Sequence, residues 1–261
     1  MCGIAGIFLP AESNAGQLRP ELERMIRTLR HRGPDGFGCL EEPTIGLAHA
    51  RLSIIDLSTG DQPIANEDQS IWTVFNGEIF NYLELRKELE RAGHTFRTQS
   101  DTETIVHAYE EYGDRFVEKL NGQFAIALWD RRRRRLLLVR DRVGIRPLYL
   151  QEDGERLLFA SEIKAILEVS RQPTKLDLGG LAQTFTFWAP VGQRTHFENV
   201  RALPPGHMLI VEGKDRKLVH YWDWTFVPRS ECSRLSFDAA AEELRELLAD
   251  AVRLQLRADV P

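Results

Sequence analysis

Cysteine is scarce in this sequence. Three occur in 261 residues, Cys2, Cys39 and Cys232, widely separated and odd in number. That usage excludes a disulfide framework and points to a reducing compartment. No C-x-x-C, H-E-x-x-H or compact His/Cys motif is present, so a structural zinc site has no sequence support and no metal is expected. Long apolar runs are missing as well, and nothing is long enough to span a bilayer. The first apolar run, Gly3–Leu9, is short and lacks a basic flank, unlike a secretory signal. Position 2 is not glycine, which excludes myristoylation. A cytoplasmic protein with no membrane partner is the expectation. Positive charge is not in excess either: the formal net charge is −5, which argues against a nucleic-acid partner. The one basic run, Arg131–Arg135, has no interleaved aromatics and reads as a solvated hairpin tip. A phosphate-cradling glycine loop is also lacking, so these residues encode no ATP chemistry and no cofactor is expected in them.

What remains is ordinary globular material, 43% hydrophobic and 28% charged. The length suits one large domain, or one domain with part of another. Strands are expected at Gly3–Leu9, Ile45–Ala50, Leu52–Ile55 and Ile71–Phe75, with Asn76-Gly77 as a tight turn after the last. Two hairpins follow, Gln123–Asp130 with Arg135–Asp141, then Leu148–Gln151 with Arg156–Ala160. A last strand pair is expected at His207–Glu212 and Leu218–Trp222. Helices are expected from Leu18, from Asn81 to Ala92, from Ser100, over Ser161–Val169, over Leu178–Phe185, and from Phe237 to Leu256. Strands crowd the middle and helices flank them, an α+β arrangement of sheets packed against helical layers.

The chemistry-bearing stretch is Met1-Cys2-Gly3. Removal of Met1 would leave Cys2 carrying both a thiol and a free α-amine. With an amine pKa near 7.7–8.0, up to about a sixth of such amines are unprotonated at neutral pH and able to take the thiol proton. With Met1 attached, that amine is locked in an amide. Taken alone, the stretch also fits an incidental buried cysteine.

Seven further-spaced motifs change that balance: Cys2-Gly-Ile-Ala-Gly6, His31-Arg-Gly-Pro-Asp35, Arg51-Leu-Ser-Ile-Ile-Asp56, Phe75-Asn-Gly-Glu-Ile79, Ser100-Asp-Thr-Glu103, Leu120-Asn-Gly-Gln-Phe-Ala125 and Arg140-Asp-Arg-Val-Gly144. In this order they resemble the class II glutamine amidotransferases, most of all the glutaminase domain of glutamine-hydrolysing asparagine synthetases. The resemblance covers residues 2–222. Phe80 departs from it, standing where tyrosine is common. The resemblance implies the four-layer αββα sandwich of N-terminal nucleophile hydrolases. It implies L-glutamine as substrate, with Cys2 as nucleophile and base. Asn76 and Gly77 would stabilise the oxyanion. Arg51 would clamp the α-carboxylate, Glu78 and Asp101 would receive the α-ammonium, and Leu52, Ser53, Ile54 and Ile55 would line the pocket.

Each of these residues also has a plain reading. Asn76 suits a hairpin turn, Arg51 a surface position between strands and Asp101 a helix N-cap. His31, His49 and His107 are read as structural, since the amine makes a histidine base unnecessary. Cys39 and Cys232 are read as inert thiols. Residues 223–236 read as a linker and 237–261 as the first helix of a truncated ATP-dependent synthetase domain. In the resembled family that domain follows at this point and binds ATP and Mg. Its presence as partner, and a homodimer, are compatible with the resemblance. So are a different ammonia acceptor and a non-catalytic scaffold.

Overall fold

The computed structural model describes residues 1–12, 17–231 and 235–260. Cys232 and the middle of the polar loop expected over 12–17 lie outside them.

Twelve strands form two antiparallel six-stranded sheets. The first holds β1 (Gly3–Phe8), β2 (Gly36–Glu42), β3 (Ile45–Arg51), β8 (Tyr149–Asp153), β9 (Arg156–Ala160) and β10 (Arg201–Ala202), in the order β10-β8-β9-β1-β3-β2. The second holds β4 (Ile64–Ala65), β5 (Ile71–Ile79), β6 (Gly122–Asp130), β7 (Arg135–Arg140), β11 (His207–Glu212) and β12 (Asp215–His220), in the order β12-β11-β7-β6-β5-β4. The helices are α1 (Arg19–Thr28), α2 (Tyr82–Ala92), α3 (Asp101–Tyr112), α4 (Phe116–Lys119), α5 (Ile163–Leu167), α6 (Leu178–Phe187) and α7 (Phe237–Gln255).

Strand alternation sorts the buried side chains into three cores. In β1, Ile4 and Phe8 point between the sheets, while Ala5 and Ile7 pack under α1 and α5. In β3, Ile45 and Leu47 enter the inter-sheet core, and Ala48 and Ala50 the helical one. In β5, Val74 faces the other sheet, and Phe75 and Ile79 face α2, α3 and α4. The order of layers is therefore helix, sheet, sheet, helix, the αββα sandwich. Gly6 is required at the centre: a Cβ there would lie 2.1 Å from the Phe159 ring and 2.6 Å from the Gly46 carbonyl.

The structure departs from the sequence expectations in several places. Asn76-Gly77 is not a turn. Strand β5 runs straight through it, with Asn76 opposite Ala125 and Gly77 opposite Phe124 on β6. Pairing along the whole strand outweighs the local turn preference, and glycine is needed because a Cβ at Gly77 would lie 2.0 Å from the Gln123 carbonyl. Leu52–Ile55 is not a strand. The last pair of β2 with β3 is Gly36 with Arg51, and β1 begins at Gly3 opposite Ala50, so the chain beyond Arg51 has no strand beside it. Strand β2 was hidden by its two glycines and the turn residues before it. The final strand lies at Asp215–His220, a few residues earlier than expected. The five arginines sit at or beside the β6–β7 turn, and each meets a carboxylate: Glu42, Asp68, Asp130, Glu12 and Asp114 in order.

Helices α6 and α7 present apolar side chains to solvent. Phe185 and Trp188 are 91% and 94% exposed, and no residue of α7 is buried. Beyond α7 the chain returns to the sandwich. The Asp259 amide donates to the Ile54 carbonyl at 2.9 Å, its carboxylate accepts from the Asp56 amide at 2.7 Å, and Arg257 grips Glu84 at 2.6 Å.

The Arg140-Asp-Arg-Val-Gly144 loop is organised by the buried Asp141 carboxylate. It accepts from the amides of Phe124, Val143, Ile145 and Arg146 at 2.9–3.2 Å. Asp141→Ala leaves these four donors without their acceptor and is expected to cost roughly 3–5 kcal/mol, with Asp141→Asn costing less. Urea unfolding followed by tryptophan fluorescence measures both.

Candidate active site

Strand parity brings one end of the sandwich together chemically. Extending the β1–β3 register by one pair sets Cys2 opposite Arg51, on the side that faces the other sheet. Asn76, two residues beyond Val74 on β5, faces back toward them. These residues line a cavity of about 510 Å³, counting its open mouth. Cys2, Arg51, Leu52, Ile54, Ile55, Asn76, Gly77, Glu78 and Asp101 all contribute to it. Ser53 does not; its amide donates instead to Asp35 Oδ2 at 2.8 Å. No histidine lines the cavity among the described residues. His49 is buried in β3, and burial holds its pKa down to about 3, so its ring stays neutral.

Cys2 is fixed through its backbone. Arg32 Nε donates to the Cys2 carbonyl at 2.8 Å, and the same guanidinium is anchored on Glu162 at 3.0 Å. Ile4 exchanges hydrogen bonds with Ser161, its amide to Oγ at 3.0 Å and its carbonyl from the Ser161 amide at 2.9 Å. The His31-Arg-Gly-Pro-Asp35 segment is thus a clamp on the chain start. Arg32 holds Cys2, and Gly33 packs where a Cβ would lie 2.2 Å from the Ala50 carbonyl. Asp35 carries the loop after β3 through its bond to Ser53. The Leu52 amide points at Cys2 Sγ from 3.3 Å, a donor suited to a thiolate. With Met1 attached, burial pushes the thiol pKa up. The Met1 side chain lines the cavity against Arg146 and Arg32.

Asn76 is 1% exposed, and neither its Nδ2 nor its Oδ1 has a hydrogen-bond partner among the described residues. Buried amides are nearly always satisfied, and leaving one unpaired costs roughly 1–3 kcal/mol. An unpaired amide lining the same cavity as the Cys2 sulfur is a donor without an acceptor.

Charged groups of both signs line the cavity. Arg51 is buried, with Nη1 on the exposed Asp61 carboxylate at 2.7 Å and Nη2 on the carbonyls of Ile55 and Asp56. Gly60 leaves room for it; a Cβ there would lie 2.7 Å from Nη2. Asp101 is not the helix N-cap. Ser100 is, accepting from the Thr102 amide, and Asp101 opens α3 with Oδ2 accepting from the Ile79 amide at 2.9 Å. Burial pushes its pKa up to about 7, and the nearby Glu78 charge adds to the rise. Two lining residues escaped sequence reasoning. Gln62 ties β5 to α3, its Oε1 accepting from the Phe75 amide at 2.6 Å and its Nε2 donating to Thr102 at 3.1 Å. Arg146 lines the cavity, and its backbone amide donates to the Asp141 carboxylate at 2.9 Å. Neither has a local sequence signal.

Similarity to known proteins agrees with this geometry. The family model described as "Glutamine amidotransferase domain" matches residues 1–222. "Asparagine synthetase [glutamine-hydrolyzing] 1" of Bacillus subtilis is 35% identical over the whole chain, which covers 41% of that protein. "Amidase chry2" of Gibberella zeae is 37% identical, again over the whole chain and 40% of the relative. "Asparagine synthetase [glutamine-hydrolyzing] 3" of Arabidopsis thaliana is 45% identical over 66% of this chain and 29% of its own length. The chain spans about 40% of the length of the curated relatives it matches end to end. Among solved structures, the allosteric regulatory enzyme of purine biosynthesis shares the fold at 21% identity, with a TM-score of 0.64 over 85% of this chain and 49% of its own. The glutamine phosphoribosylpyrophosphate amidotransferase of B. subtilis shares it with a TM-score of 0.59, also at 21% identity, over 85% of this chain and 49% of its own. With its sandwich, its ordered motifs and its match over 222 residues, the chain belongs to the class II glutamine amidotransferase domain family.

Proposed function

We propose that the chain hydrolyses L-glutamine to glutamate and ammonia at Cys2, once Met1 has been removed. The observation that carries this reading is the unpaired, buried amide of Asn76, lining the same cavity as the Cys2 sulfur. The freed α-amine takes the thiol proton, and the thiolate attacks the side-chain amide carbon. The carbonyl oxygen becomes an oxyanion, received by Asn76 Nδ2 and by the backbone at Gly77. The C–N bond breaks, ammonia leaves with the proton returned from the amine, and a thioester remains. Water then adds to the thioester through a second oxyanion, releasing glutamate and restoring the thiol. Arg51 meets the α-carboxylate, and Asp101 with Glu78 meets the α-ammonium. Leu52, Ile54 and Ile55 wall the pocket, with Ser53 behind them.

The ammonia serves an ATP-dependent reaction in a longer protein, with aspartate as acceptor and asparagine as product. The 35% identity to a glutamine-hydrolysing asparagine synthetase supports this. ATP and Mg would act in that other part, and the exposed apolar faces of α6 and α7 suit contact with it. The 37% identity to an amidase favours a second reading, the same glutaminase chemistry serving another acceptor.

Two outcomes are expected. In processed protein, Asn76→Ala lowers kcat for ammonia release by about 10²–10³-fold, the loss of one oxyanion donor, with a smaller change in KM. An unchanged kcat in folded variant contradicts the assignment. The second concerns Asp101. Its folded-state pKa is raised, so its contribution to stability is present at low pH and lost as pH rises through about 7. A bound ammonium reverses this by favouring the charged form. Glutamine affinity of the Cys2→Ala protein, measured by calorimetry, should therefore weaken about tenfold per pH unit below about 7. In Cys2→Ala/Asp101→Asn it should be weak and independent of pH over the same range.

A further inference from the structure

Outside the cavity, three separate segments bring four potential metal ligands to one point. Glu67 comes from the β4–β5 connection, His94 follows α2, and His107 and Glu110 lie one turn apart on α3. Each offers one ligand atom, all within 4.8 Å of one another. His94 Nδ1 lies 3.5 Å from Glu67 Oε1 and 3.8 Å from Glu110 Oε2. His107 Nδ1 lies 3.4 Å from Glu67 Oε2. Ligands bound at their usual distances around a tetrahedral ion sit about 3.3–3.5 Å apart. The closest donor pairs, 3.4–3.8 Å apart, are near that spacing, and the whole set lies within 4.8 Å.

Two observations point to a ligand. His107 is 0% exposed, and neither of its ring nitrogens has a hydrogen-bond partner among the described residues. Each histidine also turns its other nitrogen toward a further carboxylate. His107 Nε2 lies 3.5 Å from Glu103 Oε1, and His94 Nε2 lies 3.5 Å from Glu111 Oε2. These contacts are longer than hydrogen bonds, but the outer carboxylates stand where the carboxylate–histidine–metal pattern needs them to fix tautomer and orientation once an ion is bound. Of the outer groups, Glu103 accepts from the amides of Arg97 and Thr98 at 2.8 and 2.7 Å, and the ligand Glu110 is itself held by Asn66 Nδ2 at 3.1 Å.

We propose that Glu67, His94, His107 and Glu110 form a structural zinc(II) site. Two neutral imidazoles and two carboxylates suit this ion in charge and donor type. With four protein ligands the site is closed, which suits a staple rather than a catalytic centre. It ties the β4–β5 connection and the chain after α2 to α3, the helix whose first residue is Asp101. Sequence spacing offers no sign of it beyond His107-x-x-Glu110, because the other ligands come from distant positions. The sequence reading expected no metal, and this proposal departs from it.

The test uses the whole chain, stripped with a chelator and titrated with Co²⁺ and then Zn²⁺. One Co²⁺ per chain is expected, with the visible d–d bands of a tetrahedral nitrogen–oxygen site and no thiolate charge-transfer band. Zinc should displace it. His94→Gln and Glu67→Gln should weaken zinc binding by about 100-fold or more, while Cys2→Ala leaves it unchanged. In the unsubstituted chain, zinc should also shift the ring resonances of His94 and His107 and raise the thermal midpoint, a readout that needs no variant to fold. Failure of the unsubstituted chain to bind either ion overturns the proposal. So does a thiolate band, affinity unchanged in both variants, or unmoved His94 and His107 resonances; the cluster is then a metal-free histidine–glutamate network.

Discussion

The pairing of β1 with β3, Gly3 opposite Ala50, is the constraint on which the site depends. It sets Cys2 across from Arg51 and turns both toward the second sheet. A one-residue slip would turn every side chain of β1 to the opposite face and bury Cys2 under α1. The register is held from three sides. Ile4 and Phe8 fill the inter-sheet core, Gly6 admits Phe159, and Arg32 holds the Cys2 carbonyl. The economy of the site is thus a matter of packing: one core fixes where one sulfur stands.

Within that frame the cavity keeps polar groups in states that favour a ligand. Asn76 is buried without a partner, and Asp101 is buried where ionisation is costly. A protein built only for stability would replace both with apolar residues, since unpaired buried polarity destabilises. In the proposed reaction, glutamine would answer each need, through its reacting carbonyl for Asn76 and its ammonium for Asp101. The C-terminal return of the chain adds a mechanical link, since Asp259 bonds the Ile54 and Asp56 backbone on one wall of the pocket. Any domain attached beyond α7 would pull on that wall.

Most of the strands and helices were legible from alternation and from clear breaks, while their stacking as a sandwich was implied by the family resemblance. The β6–β7 and β8–β9 hairpins show as apolar runs separated by polar turns, and α1 and α2 as regular apolar stripes. What failed were places where a neighbouring strand decides the conformation. Asn76-Gly77 carries a turn signature but is stretched by β6, and Leu52–Ile55 is β-prone but has nothing to pair with. Among site residues, Cys2, Arg51, Asn76 and Asp101 stand in local motifs. Arg146 lies just past the Arg140–Gly144 motif, whose Asp141 binds its amide. Gln62 stands in none, because its place is set by Thr102, forty residues along the chain. The His94–His107 cluster was invisible for the same reason.

The central claim is that a single amino acid at the mature chain start supplies both nucleophile and base. The direct test compares ammonia release from glutamine by the chain with Met1 retained and with Met1 removed, alongside mass-spectrometric mapping of a glutamine-like electrophile. The account predicts negligible release with Met1 present, and steady release after its removal with one adduct on Cys2 that glutamine suppresses. Equal release from both forms, or an adduct elsewhere in the folded protein, would contradict it.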